Sequence, residues 1–137
     1  MSTVLDAYAL IALTLDEPSA EEVDRILRGG DAAVTSVNYG EALDRLIRAR
    51  GMPAPRVRAV LEPLLDGPLS RLDVGFGIVE EAVRLRAGHY HRERRPLSLA
   101  DCICLAAAAG AGGAVVTADA AMLAVADSEG IDSVSLA

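Results

Sequence analysis

The sequence predicts an α/β fold, a single α/β/α sandwich around a mostly parallel sheet of about five strands. Three observations predict it. Short apolar runs rich in β-branched residues, Thr3-Val4-Leu5, Ala32-Ala33-Val34-Thr35 and Ala114-Val115-Val116-Thr117, read as buried strands. Each is followed by a segment of helix formers. The connections are a few residues long, so strand and helix alternate as in a parallel sheet covered on both faces.

Taken in order, Thr3-Val4-Leu5 ends at Asp6, and Ala7 to Leu15 favours a helix. Pro18-Ser19 with Glu21 and Glu22 opens a second helix, acids in its first turn where the helix dipole favours them, which Gly29-Gly30 stops after Arg28. Ala32 to Thr35 is the next strand, and Ser36 is a good N-cap for a helix from Val37 to about Arg50. Tyr39, Leu43, Leu46 and Ile47 give that helix its expected buried stripe. Pro53 and Pro55 suit the first turn of a helix running through Leu65, ended by Asp66-Gly67-Pro68. Ser70 to Val74 is a weaker strand, followed by a helix from about Ile78 to Tyr90. Helices at Leu99–Ala109 and Ala120–Asp127 then bracket the strand at 114–117, and Ser133-Val134-Ser135 is the last strand.

The 137 residues suit one domain with a real core, and 52% hydrophobic with 24% charged residues excludes disorder. A net charge of -7 argues against a sequence-blind nucleic-acid binder, which needs a basic surface. All thirteen basic residues are arginine, however, and most fall in two clusters: Arg45, Arg48, Arg50, Arg56, Arg58 and Arg84, Arg86, Arg92, Arg94, Arg95. They read either as phosphate contacts or as helix faces paired with neighbouring acids. Cys102 and Cys104 are too few for a disulfide scaffold and, two apart on a helix, a poor chelate, so buried thiols in a reducing compartment are expected. Asp6 interrupts the short apolar N-terminal segment, which argues against a signal peptide. Gly110, Gly112 and Gly113 break the uncharged run from Cys102 to Ala118, which therefore reads as core. A cytoplasmic protein without a membrane span is the expectation.

Functional groups in open parallel sheets gather beyond the carboxyl ends of the strands. Asp6 follows the first strand directly, Asp119 follows the strand at 114–117 by two residues, and Glu41 lies in the second turn of the helix after the second strand. Asp101 opens the helix before the strand at 114–117. Asp6, Asp101 and Asp119 each also read as helix caps, with Ser98 and Asp101 at capping-box spacing. Glu41, in mid-helix, does not. Carboxylates that share a pocket repel each other and must hold protons or a cation. Oxygen-only ligands of this kind suit Mg²⁺ or Mn²⁺ and metal-assisted hydrolysis.

Asp6 after the first strand, Ser36-Val37-Asn38-Tyr39-Gly40-Glu41, Leu97-Ser98-Leu99-Ala100-Asp101 and Val116-Thr117-Ala118-Asp119 together resemble the four motifs of PIN domains. More narrowly, they resemble those of VapC-type toxins from bacterial toxin–antitoxin pairs. The resemblance covers nearly the whole chain and implies one PIN domain over residues 1–137. It also implies a Mg²⁺- or Mn²⁺-dependent endoribonuclease with Asp6, Glu41, Asp101 and Asp119 as the acidic cluster. Asp6 and Asp101 would bind metal directly, Asp119 directly or through water, and Glu41 would help bind metal or position water. Thr117 would hydrogen-bond within the site, and Asn38 would orient a carboxylate, touch RNA or simply be a satisfied polar neighbour.

Family members often carry a small hydroxyl residue where this chain has Tyr8, which would pack between helices, narrow the site or stack on a base. His89 and His91 with Arg92, Arg94 and Arg95 read as an RNA-facing lip or as an exposed helix end. The resemblance further implies a homodimer and a VapB-like antitoxin, with Leu10, Leu13 and Leu43 as groove candidates or core. A housekeeping PIN nuclease and a non-catalytic PIN-like binding module are the rival readings.

Overall fold

The computed structural model describes residues 2–137. Its five strands are β1 (Thr3–Leu5), β2 (Ala32–Thr35), β3 (Leu69–Leu72), β4 (Ala114–Thr117) and β5 (Asp132–Ser135). They form one sheet in the order β3-β2-β1-β4-β5, and every pairing is parallel. Seven α-helices cover it: α1 (Ala7–Thr14), α2 (Ala20–Arg28), α3 (Ser36–Asp44), α4 (Ala54–Leu61), α5 (Phe76–His89), α6 (Leu99–Gly110) and α7 (Ala120–Glu129).

Alternate residues along the strands divide the core between two faces, as the period of two requires. Val4 and Val115 pack with residues of α5, α6 and α7. Leu5 and Val116 pack with residues of α1 to α4. The central strands are therefore apolar on both sides, and the chain reverses direction across the sheet between β1 and β4. That switch point is where a crevice opens at the carboxyl edge. The start of β4 passes so close to the N-terminal strand that a Cβ on Gly113 would lie 2.0 Å from the Ser2 carbonyl oxygen. Only glycine fits there.

Several expectations are corrected. Thr35, not Ser36, caps α3: its hydroxyl accepts from Asn38 N while its backbone is still extended. The helix does not run evenly to Arg50 but widens into a π-segment, Arg45–Ala49, where Arg50 N donates to Arg45 O. The fully buried line along α3 and the π-segment is Asn38, Ala42 and Leu46, with Tyr39, Leu43 and Ile47 half-buried beside it. The next helix ends at Leu61 and tightens into a 3₁₀ turn, Glu62–Leu64. β3 begins one residue early and stops at Leu72, because its register is set by pairing Leu69 to Ala32 and Leu72 to Thr35. Leu10 is fully buried in the core, so it lines no surface groove. Cys102 and Cys104 are both buried. Among the described residues, no helix is long and apolar enough to cross a membrane.

Candidate functional site

The carboxyl edge between β1 and β4 holds a pocket of about 390 Å³ lined by Asp6, Glu41, Asp101 and Asp119, together with Tyr8, Arg45, Pro96, Ser98 and two alanines. All four acids singled out in the sequence meet here. Four different elements deliver them.

Asp6 is the innermost. It caps α1, Oδ1 accepting from Ala9 N at 3.0 Å, while Oδ2 accepts from the Thr117 hydroxyl at 2.6 Å. Burial pushes its carboxyl up to about 6; the two hydrogen bonds pull it down, and Asp101 and Glu41 add to the rise. Thr117, itself fully buried, also accepts from Asp119 N at 3.0 Å, so one hydroxyl ties both junctions together.

Asp119 caps α7 by accepting from Met122 N at 3.0 Å and is exposed. Asp101 and Ser98 form a complete capping box at the start of α6: Asp101 Oδ2 accepts from Ser98 N at 2.9 Å and Ser98 Oγ from Asp101 N at 3.0 Å. The cap readings and the pocket are thus not alternatives. A capped aspartate still presents its second oxygen, and among the described residues none donates to the other oxygen of Asp101 or Asp119.

Glu41 lies half-buried, its side chain 19% exposed, and accepts from Arg45 Nη2 at 3.0 Å. Burial raises its carboxyl, Arg45 lowers it, and Asp101 raises it further. Asn38 is 1% exposed. It accepts from Thr35 Oγ1 and donates through Nδ2 to the Ala100 carbonyl at 3.1 Å. It braces α3 against the first turn of α6, one residue from Asp101, and its side chain also lowers the Glu41 carboxyl.

Tyr8 does two things at once. Its ring packs in the core on the α1 to α4 face and lines the pocket, with its hydroxyl 3.4 Å from Ser19 Oγ.

The imidazoles of His89 and His91 are both engaged in the fold. His89 Nε2 meets Glu129 Oε2 at 2.6 Å, tying α5 to α7, and His91 Nδ1 accepts from Glu93 N and Arg94 N in the turn that follows. Arg92 and Arg94 are exposed, Arg95 is half-buried, and none of the three lines the carboxylate pocket. Arg45 does, a placement missed among the arginine clusters; its spacing of four from Glu41 on one helix was the signal.

The donor set is all hard oxygen, concave and partly desolvated, which fits Mg²⁺ or Mn²⁺ rather than zinc or copper. Among the described residues no three acid, imidazole or thiol groups already close on one point. The carboxylates instead rest on donors of their own helices and, for Asp6, on the Thr117 hydroxyl of β4 as well.

The PIN domain family model matches residues 3–128 of the sequence. No curated protein matches it. Among solved structures, the DNA-bound VapBC complex of Salmonella typhimurium is similar at 20% identity and a TM-score of 0.75, covering 100% of this chain and 99% of that one. VapC20 of Mycobacterium tuberculosis, a Sarcin-Ricin loop cleaving toxin, is similar at 18% identity and a TM-score of 0.70, covering 90% and 94%. A toxin–antitoxin complex from Klebsiella pneumoniae is similar at 21% identity and a TM-score of 0.70, covering 99% and 98%.

Proposed function

The chain belongs to the PIN domain family, and from that premise we propose that it is a metal-dependent endoribonuclease toxin of the VapC kind, one domain over residues 1–137. The observation that carries this reading is the meeting of Asp6, Glu41, Asp101 and Asp119 in one pocket at the switch point of the sheet.

Asp6, Asp101 and Asp119 would hold Mg²⁺ or Mn²⁺, with Glu41 assisting. When bound, such an ion supplies an acidified water and neutralises charge on a phosphodiester. The chain's own residues do the positioning. Thr117 fixes the rotamer of Asp6 and the start of the α7 junction through one hydroxyl. The Ser98–Asp101 box fixes the backbone from which the Asp101 carboxylate projects. Glu41, half-buried and paired with Arg45, would orient a water or accept its proton.

A VapB-like antitoxin and a second copy of the chain are the proposed partners. Leu13 and Leu43, half-buried on the face of α1 and α3, remain the candidate antitoxin groove. The test is RNA cleavage by purified, antitoxin-free protein supplied with Mg²⁺ or Mn²⁺. Cleavage is expected to vanish on chelation and in Asp6→Asn and Asp101→Asn; cleavage that survives both overturns the mechanism. Sedimentation of the same preparation reads the oligomeric state.

A further inference from the structure

Among the described residues, Arg45 is the one cationic side chain on the wall of the carboxylate pocket. Its bond to Glu41 joins residues four apart on a helix, and the arginine side chain stays 51% exposed. A surface pair of this kind contributes little to stability. It is easily exchanged for a better acceptor.

Other arginines are more firmly engaged. Arg48 grips both oxygens of Asp44, and Arg84 bridges Glu81 and Glu129. Arg86 donates to the Leu97 carbonyl and lies 4.6 Å from the centre of the Tyr90 ring. Arg45 by contrast makes one hydrogen bond through one nitrogen, leaving most of its five donors for a ligand. It is also the first residue of the π-segment, a distortion frequent at functional sites.

A strand of RNA entering this pocket brings phosphates against four carboxylates on a chain of net charge -7. Something at the pocket must favour the phosphate over the surrounding acid. The guanidinium fork matches two phosphate oxygens, where Glu41 engages it through one.

We propose that Arg45 is a positioning residue for the RNA backbone: its guanidinium leaves Glu41 for a phosphate of the strand, seating that strand in the pocket and releasing the Glu41 carboxylate. The proposal rests on the nuclease reading, but binding can be measured apart from cleavage.

The experiment measures affinity for a fluorescein-labelled single-stranded RNA in chelator, over a series of salt concentrations, for wild type, Arg45→Ala, Arg45→Lys and Glu41→Gln. A single-strand phosphate contact contributes about 0.7 to the slope of log affinity against log salt. Arg45→Ala is expected to lose about that much slope and to bind roughly fivefold to tenfold more weakly. Arg45→Lys should keep the slope, because the charge remains, while binding less tightly. Glu41→Gln should keep the slope and bind at least as tightly as wild type, since the competing carboxylate is gone. With Mn²⁺ restored, Arg45→Ala should raise KM more than it lowers kcat.

An unchanged slope in Arg45→Ala, or a slope lost in Glu41→Gln, overturns the proposal and marks Arg45 as a structural partner of Glu41. Absence of cleavage by the wild type overturns the nuclease reading instead. A shallower slope in Arg45→Ala without cleavage supports the phosphate contact as an RNA-binding one.

Discussion

Two strand-to-helix junctions lie side by side at the carboxyl edge of the sheet, Asp6 between β1 and α1 and Asp119 between β4 and α7. Their local chemistry is the same: each aspartate caps its helix by accepting, at 3.0 Å, from the backbone nitrogen three residues on. Their surroundings are opposite. Asp6 follows its strand directly, is buried and has both oxygens engaged, whereas Asp119 is set one residue further out by Ala118 and is exposed. One residue of spacing thus turns the same cap into either the desolvated floor of the pocket or its open rim. Thr117 joins the two.

The largest break in this comparison comes from Asp6→Asn. If Asp6 is the inner metal ligand, cleavage of RNA falls at least about a hundredfold. The same substitution should stabilise the metal-free protein at pH 7 by up to about 3 kcal/mol, because the folded carboxyl titrates near 6 and its unfolded reference is 3.8. With the folded value raised, the native state keeps a proton that the unfolded chain gives up. This contribution to stability is full below about pH 4 and lost as pH rises through 6. Denaturant melts in chelator between pH 4 and 7 should show this decline in the wild type and lose it in Asp6→Asn.

Thr117→Val keeps the shape of the side chain and removes its hydrogen bonds to Asp6 and from Asp119 N. It should cost about 1–3 kcal/mol in denaturation and lower cleavage roughly tenfold, since a buried acceptor and a backbone donor lose their partner together. Thr117→Ser, which restores the hydroxyl, should recover most of both. The smallest effect belongs to Asp119→Asn. Asparagine caps as well as aspartate, so stability should shift by no more than about 0.5 kcal/mol in the same melts. Cleavage should still fall, by less than in Asp6→Asn. Equal losses from the two substitutions would erase the distinction between floor and rim.

β2 and β4 were legible to the residue because continuous apolar runs end there at Thr35 and Thr117, and both are buried on two faces. β3 was legible only approximately. Nothing in Leu69 to Val74 distinguishes one register from the next; pairing with β2 decides it. The π-segment left no sequence mark, since Arg45 to Ala49 contains neither proline nor glycine. The acids were legible by their places after strands and at helix starts, and the bracing of Asn38 on Ala100, 62 residues away, was not. For the same reason His89 looked like surface chemistry until Glu129, 40 residues on, closed over it.

Helix α6 presents Asp101 at its first turn and carries both cysteines of the chain immediately after. Burial pushes the Cys102 thiol up to about 11 and the Cys104 thiol well above its ordinary value, so neither is a nucleophile while the helix is docked. An alkylating reagent consequently reads the undocking of that helix as a clock. Labelling is expected to be slow in the closed protein and slower again when a ligand of the pocket holds Asp101 in place, which thiol-alkylation rates with and without Mn²⁺ would check. The two thiols are an internal stopwatch for the element that carries one wall of the site.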